Sequence, residues 1–181
     1  MNCAAVILAP GAEEMETVIT VDILRRAGIE TDLIGLDDGP IKCSRAVRIL
    51  PDMAWGDADF DKYDLLVLPG GLAGAERLRD DRRVLEILQS FADRQCLIGA
   101  ICAAPLVLEA ARLIDGRRFT CHPSVSGRID VGERVDERVV VDGNIVTSQG
   151  PGTALEFALR LVEVLLGSDK RAEVEPPLLL Q

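Results

Sequence analysis

Metal ligands and paired cysteines are scarce in this sequence. The 181 residues include a single histidine and five cysteines, none of which forms a CxxC pair. Zinc sites without four clustered thiols need more imidazoles than this chain has, so we expect no bound metal. An odd number of scattered cysteines also argues against a disulfide framework and indicates a reducing compartment.

Positive charge and long apolar runs are limited as well. Acidic residues outnumber basic ones by 30 to 20, and the formal charge of −10 disfavours binding to nucleic acid or to anionic membranes. No apolar run approaches the roughly 20 residues that cross a bilayer. The apolar segment 3–9 has no basic residue before it and leads to Glu13 rather than to a cleavage site. We therefore expect a soluble cytoplasmic protein.

The length predicts one domain over residues 1–181. Short runs rich in Val, Ile and Leu alternate with helical patterns, which is typical of βαβ units around a mostly parallel sheet. The pattern places strands at 3–8, 31–36, 65–68 and 97–101, and helices at 13–27, 82–94, 105–112 and 154–165. It also predicts a small hairpin or an edge excursion at 41–50 and a hairpin at 139–147. Thr153 and Glu156 predict a capping box for the last helix. Residues 168–181 form a tail or short helix with an apolar tip, which we expect to dock on the core.

Cys102 is the first candidate for chemistry because it lies between a buried strand and a helix start. The positive end of that helix would lower the pKa of the thiol, and a sharp strand-to-helix turn would expose the sulfur as a nucleophile. The alternative is a buried core cysteine. Among the other cysteines, Cys43 in the predicted hairpin is a candidate for an accessible oxidation site.

Gly70 and Gly71 follow another predicted strand at the same edge of the sheet, where open α/β sheets place their ligands. The N–H groups of Gly71 and Ala103 would form an oxyanion hole facing a carbonyl that the sulfur attacks. The alternative is a plain tight turn.

Three carboxylates and the sole imidazole complete the set of candidates. Glu13, Glu14 and Glu16 crowd the start of the first helix, and one of them can face Cys102 as a protonated donor, with the choice open from the residues alone. His122 is either a proton shuttle or a hydrogen-bonded structural residue. A Cys-His-Glu amidotransferase would have Glu at position 124, where this chain has Ser. A related cysteine peptidase would have His at position 103, where this chain has Ala.

Five sequence blocks resemble one known family. The chain is similar to members of the DJ-1/PfpI (ThiJ) superfamily, most closely the DJ-1/YajL branch, from about residue 5 to residue 167. The matching blocks are residues 11–16 (GAEEME), 42–45 (KCSR), 68–71 (LPGG), 100–105 (AICAAP) and 148–153 (SQGPGT). The ending, 174–180, resembles the extra C-terminal helix of the DJ-1 type, which packs near the active site.

The resemblance implies a flavodoxin-like three-layer α/β sandwich with an elbow cysteine, and a homodimer formed through the first helix. It assigns the nucleophile to Cys102 and the protonated partner to Glu16. Gly71 and Ala103 match the backbone donors. The remaining matches are His122, whose counterpart varies among relatives, and two arginines that would attract an anionic group, Arg45 in the same chain and Arg26 from the dimer partner.

The resemblance also implies a class of reaction. Family members are described as glyoxalases that turn methylglyoxal into lactate without a cofactor, and as deglycases that remove early glycation adducts. Small reactive aldehydes and glycated side chains are therefore the expected partners. The alternative function is a redox sensor or redox-regulated chaperone that responds to oxidation of Cys102.

Overall fold

A seven-stranded sheet forms the centre of the protein, which a computed structural model describes over residues 2–180. The two ends of the predicted domain, residues 1 and 181, lie outside this range. The strand order is β10-β11-β7-β6-β1-β2-β5, and all neighbours run parallel except the β10–β11 hairpin. The strands of this sheet are β1 (Cys3–Leu8), β2 (Glu30–Gly35), β5 (Met53–Ala54), β6 (Leu65–Leu68), β7 (Leu97–Ile101), β10 (Val139–Asp142) and β11 (Ile145–Ser148).

Two small ribbons lie outside the central sheet. The antiparallel pair β3 (Ile41–Lys42) and β4 (Arg48–Ile49) confirms the predicted hairpin near residue 45. The parallel pair β8 (Arg118–Phe119) and β9 (Glu133–Arg134) precedes and follows the segment that carries His122.

Helices cover both faces of the sheet and produce the three layers that the resemblance implied. Alternate residues of β1 point to opposite faces, so that Val6 packs in one buried cluster and Ile7 in the other. One face is covered by α1 (Glu14–Arg26), α5 (Ala154–Leu166) and α6 (Ser168–Val174). The opposite face is covered by α2 (Leu72–Asp80), α3 (Arg82–Asp93) and α4 (Pro105–Ala110).

Helix α2 was not predicted from the sequence. Gly74, the third residue of the helix, has a low helix propensity, which weakens the helical pattern of this segment. In the structure a Cβ at Gly74 would lie 2.7 Å from the backbone of Ala12, so the glycine serves close packing between the helix and the loop after β1. The helix begins directly after Gly71 and therefore directs its N-terminus at the predicted site.

The predicted capping box at the start of α5 is wrong. The Thr153 hydroxyl turns back to Ser148 Oγ, 2.6 Å away, and to the backbone of Gly150, because a short 3₁₀ turn precedes the helix. Glu156 instead pairs with Arg138 across a 2.7 Å contact.

The C-terminal segment docks in part. Helix α6 lies against α5, and Val174 is buried there. Leu178 packs against the same core, but Leu179 is 85% exposed, so the apolar tip does not dock as a whole. Over residues 2–180 no helix is long and apolar enough to cross a membrane.

Candidate functional site

Four neighbouring strands end at one edge of the sheet, which we call the carboxyl edge. The loops after β1, β6, β7 and β11 meet there, because these strands are parallel and adjacent in the sheet. This edge brings together the chain segments that contain Glu16, Gly70, Gly71, Cys102 and Ser148.

Cys102 occupies a strained turn between β7 and α4. Its φ is +66°, in the left-handed region that a residue with a side chain rarely adopts, at a cost of about 1–3 kcal/mol. The turn is fixed because its N–H donates to Ser148 O over 2.9 Å and its carbonyl accepts from the His122 N–H over 2.8 Å. The predicted elbow is confirmed, and Cys102 is partly exposed to solvent.

Glu16 is the glutamate that meets the sulfur. It is fully buried in the first turn of α1, and its Oε2 accepts a 2.7 Å hydrogen bond from the Gly70 N–H. Its Oε1 has no nitrogen or oxygen partner among residues 2–180, and the carboxyl interacts with the Cys102 thiol. A Cβ on Gly70 would lie 2.5 Å from the Cys102 Cβ, so only glycine permits this approach.

The protonation of this pair follows from burial. Burial raises the pKa of Glu16 to about 7. Burial also raises the pKa of Cys102, and the negative charge of Glu16 raises it further. The expectation of a lowered thiol pKa is therefore wrong, because desolvation of the sulfur and the charge of Glu16 outweigh the backbone N–H groups of Gly71 and Ala103. Two negative charges in this buried contact repel each other, so the carboxylate of Glu16 is placed to accept the proton that the thiol loses.

Two backbone donors lie beside the sulfur. The N–H groups of Gly71 and Ala103 both contact the Cys102 sulfur, and both act to lower its pKa. Gly71 has a φ of +81°, and a Cβ there would lie in the backbone of the loop after β1, so the turn requires glycine. These are the two donors that the sequence predicted for an oxyanion hole, although their role toward a substrate stays a prediction.

The other two glutamates have structural contacts. Glu13 caps α1 by accepting from the Glu16 N–H over 2.9 Å. Glu14 accepts from Ser44 Oγ and from the Arg45 N–H, each over 2.9 Å, and so holds the loop between β3 and β4 against α1.

His122 lies next to the elbow through its backbone hydrogen bond to Cys102, and its ring contacts its own turn. The ring Nδ1 lies 2.7 Å from Ser124 Oγ and accepts from the Ser124 N–H over 3.2 Å. On the other side of the ring, a Cβ on Gly150 would lie 3.3 Å from Cδ2.

The remaining candidates divide into near and distant residues. Arg45 is exposed on the loop that Glu14 holds. Arg26 pairs with Asp22 at the other end of α1, roughly 15 Å from Glu16 along the helix axis, so it is not part of this site within one chain. Cys43 is only 4% exposed, which corrects the prediction of an accessible oxidation site, because the hairpin packs against the loop after β1.

Two contacts of the site were missed from the sequence. The Gly70 N–H donates to Glu16, whereas the sequence pointed only to the Gly71 N–H of this glycine pair. Ser124 was considered only as a residue that excludes an amidotransferase, although a serine two positions after a histidine can cap its own turn. Across the described residues, no three His, Cys, Asp or Glu side chains are grouped to hold a metal ion.

Comparison with known proteins places this geometry in a family. The family model for the DJ-1/PfpI family matches residues 2–164. The chain is 47% identical to protein dj-1beta of Drosophila melanogaster over 180 residues, covering 98% of this chain and 96% of the relative. The crystal structure of that relative superposes with a TM-score of 0.96, at 46% identity and covering 99% and 98% of the two chains.

Two further relatives carry informative names. A Caenorhabditis elegans protein named glutathione-independent glyoxalase DJR-1.2 is 39% identical over 181 residues, covering 98% of this chain and 96% of the relative. A structure of Toxoplasma gondii DJ-1, described as oxidized, has a TM-score of 0.94 at 35% identity and covers 99% and 98% of the two chains. The family model covers most of the chain, and the relatives match nearly its whole length in sequence and in fold. The protein therefore belongs to the DJ-1/PfpI family.

Proposed function

We propose that this protein is a cofactor-independent glyoxalase that converts methylglyoxal and glyoxal into hydroxy acids, with Cys102 as the nucleophile. The observation that carries the proposal is the contact between a thiol on a strained elbow, a buried carboxyl and two backbone N–H groups. The name of the Caenorhabditis elegans relative supports the same chemistry.

The first step is addition of the thiol to the aldehyde. As the sulfur of Cys102 bonds to the aldehyde carbon, its proton passes to the Glu16 carboxylate, whose Oε1 has no other partner within the described residues. Negative charge develops on the aldehyde oxygen, where the N–H groups of Gly71 and Ala103 would stabilise it. Glu16 then returns the proton to that oxygen, which completes a hemithioacetal.

The second step moves hydrogen between the two carbons. The Glu16 carboxylate removes the proton from the former aldehyde carbon and returns it to the neighbouring carbon. The hydroxyl proton of the hemithioacetal passes to the oxygen on that neighbouring carbon, so the first carbon becomes a carbonyl and the second carries the hydroxyl. The product is a thioester of the hydroxy acid on Cys102. Water hydrolyses this thioester, releases lactate from methylglyoxal and restores the thiol, so the overall reaction adds one water and needs no external oxidant.

The same nucleophile would account for deglycation. Early adducts of methylglyoxal with side chains are reversible, so their removal can proceed by direct attack on the adduct or by consumption of free methylglyoxal. The partial exposure of Cys102 is compatible with small aldehydes and with adducts carried on flexible side chains.

A second candidate function is a sensor of oxidative stress or a redox-regulated chaperone in the cytoplasm. The supporting observation is that the sulfur of the partly exposed Cys102 adjoins a carboxyl whose pKa is raised to about 7. A protonated Glu16 would donate to the oxygen of a Cys102 sulfinate, while Arg45 would add positive charge. The structure of the oxidized Toxoplasma relative favours the same idea.

We also propose that the chain forms a homodimer through α1. Met15 and Val18, three residues apart on this helix, are 53% and 54% exposed and form an apolar pair on its outer face. A second copy on this face would cover them and would bring Arg26 of the partner toward the site.

The test of the glyoxalase proposal is turnover of methylglyoxal. Lactate formation is followed by NMR in a buffer without primary amines, for the wild type, Cys102→Ser and the control Cys96→Ser, whose cysteine lies at the opposite end of β7. We expect Cys102→Ser to lower turnover by about 10³-fold or more with folding unchanged, and Cys96→Ser to match the wild type. Stoichiometric loss of aldehyde without lactate from the wild type would overturn the proposal and favour the sensor.

A further inference from the structure

Ser124, two positions after His122, contacts the histidine ring, although the sequence did not predict this contact. In a Cys-His-Glu site a carboxylate at this position orients the imidazole. Here the position holds Ser124, and its hydroxyl oxygen lies 2.7 Å from His122 Nδ1. The serine therefore contacts the ring nitrogen that such a carboxylate would bind.

The backbone N–H and the hydroxyl of Ser124 together determine which nitrogen of the neutral ring carries the proton. Its N–H donates to Nδ1 over 3.2 Å, and an amide N–H can only donate. Nδ1 must then present its lone pair, and the hydroxyl of the same serine can donate to it as well. The proton of the neutral imidazole consequently lies on Nε2, at the opposite edge of the ring.

The Nε2 side of the ring lies beside the carboxyl edge of the sheet. The Cδ2 atom, which is bonded to Nε2, is the ring atom that approaches Gly150, and Gly150 follows β11 by two residues. The end of β11 in turn contacts the elbow, since Ser148 O accepts from the Cys102 N–H over 2.9 Å. The His122 backbone is also bonded to Cys102 O over 2.8 Å.

We propose that Ser124 is a positioning residue that holds the Nε2–H of His122 as a neutral hydrogen-bond donor for the aldehyde oxygen. This inference rests on the proposed aldehyde reaction. A hydroxyl carries no charge, so it orients the ring without stabilising an imidazolium as a carboxylate does. His122 would polarise the carbonyl and keep its proton, while Glu16 accepts the proton of the thiol.

The ring orientation can be measured without any turnover. Because the chain has a single histidine, ¹⁵N-labelled histidine gives one pair of ring nitrogen signals with no ambiguity of assignment. In alkaline buffer we expect a protonated Nε2 and an unprotonated Nδ1 in the wild type. Ser124→Ala keeps the backbone N–H and loses the hydroxyl, so we expect the same major tautomer with a larger share of the Nδ1–H form. A wild-type ring that carries its proton on Nδ1 would overturn the inference.

Kinetics test whether the serine acts through the histidine. We expect Ser124→Ala to lower kcat roughly tenfold with KM nearly unchanged, and Ser124→Thr, which keeps the hydroxyl, to restore kcat. The control is Ser126→Ala in the same turn, whose hydroxyl donates to Pro123 O over 2.8 Å and not to the ring. It should leave kcat as in the wild type.

A double-mutant cycle separates positioning from a merely structural effect. In a His122→Gln background, Ser124→Ala should cause no further loss of kcat, since its effect passes through the ring. An equal loss in both backgrounds, or an equal loss in Ser126→Ala, would overturn the inference. A wild type without turnover would overturn the proposed function and the catalytic part of this inference, whereas the tautomer measurement would still decide whether Ser124 orients the ring.

Discussion

The two ends of the same parallel strands are built in opposite ways. At the carboxyl edge, Cys102 has a left-handed backbone, Gly70 admits no side chain, and Glu16 is buried with one carboxyl oxygen unpartnered within residues 2–180. The opposite, amino edge has ordinary partners. Asp64 accepts from the Cys3 N–H over 2.9 Å, and the Asn144 amide donates to Cys96 O over 2.9 Å.

Two carboxyls, one buried and one partly exposed, show the same contrast. Burial dominates at Glu16 and raises its pKa to about 7. Burial also acts to raise the pKa of Asp32 near the amino edge, but hydrogen bonds from Lys62 and Tyr63 outweigh it and lower the pKa. The carboxyl edge therefore has a strained backbone and a carboxyl whose charged form is disfavoured, as functional sites often do. The amino edge has hydrogen-bonded groups that contribute to stability.

Adding one methyl group at each edge gives the largest contrast between the two edges. In Gly70→Ala the new Cβ would lie 2.5 Å from the Cys102 Cβ and 2.7 Å from Glu16 Oε2, so the reacting groups must move apart. We expect turnover of methylglyoxal to fall by about 100-fold or more.

The matched change at the amino edge is Gly28→Ala. Gly28 has a φ of +78° with no atom within 4 Å of an added Cβ, so the change should cost about 1–2 kcal/mol of stability and leave turnover intact. Steady-state kinetics and urea unfolding of both variants provide the comparison. Equal turnover in the two variants would contradict the claim that the catalytic groups lie at the carboxyl edge.

The next effect is a pH dependence of stability that Glu16 causes. Its pKa rises from 4.5 to about 7 in the folded state, so folding favours the protonated form. The stability from this group is full below about pH 4.5 and is lost as the pH rises through about 7, by about 3 kcal/mol in all. Urea unfolding between these values should show this loss in the wild type and not in Glu16→Gln. The same slope in both proteins would refute the assignment.

The smallest effect has the opposite sign. Because the pKa of Asp32 is lowered, its contribution is present above the ordinary carboxyl value and is lost as the pH falls through the folded value. Asp32→Asn should reduce stability at neutral pH by about 1 kcal/mol, and the difference should shrink in acid. Unfolding curves at neutral and acidic pH measure this difference, and a constant difference would show that packing rather than charge is responsible.

Predictability from sequence depended on how local the determining signal is. The strand at Cys3–Leu8, the hairpin turn at Asp142-Gly143 and the end of α5 at Gly167 are confirmed, because short apolar runs and turn residues act within a few positions. Helix α2 was missed because its Gly74 is explained only by Ala12, more than 60 residues away in the chain.

For the site, the sequence by itself determined the candidates: a cysteine between strand and helix, a glycine pair after the neighbouring strand, and acidic residues at the start of α1. The residues alone left the choice among three glutamates open, the family resemblance assigned Glu16, and the structure shows its contact with the sulfur. Only the tertiary structure showed that burial raises the pKa of the thiol, that Cys43 is inaccessible and that Ser124 contacts the imidazole. The physical reason is that hydrogen bonding and desolvation depend on atoms brought together from distant segments, whereas turns and strands depend on near neighbours in the chain.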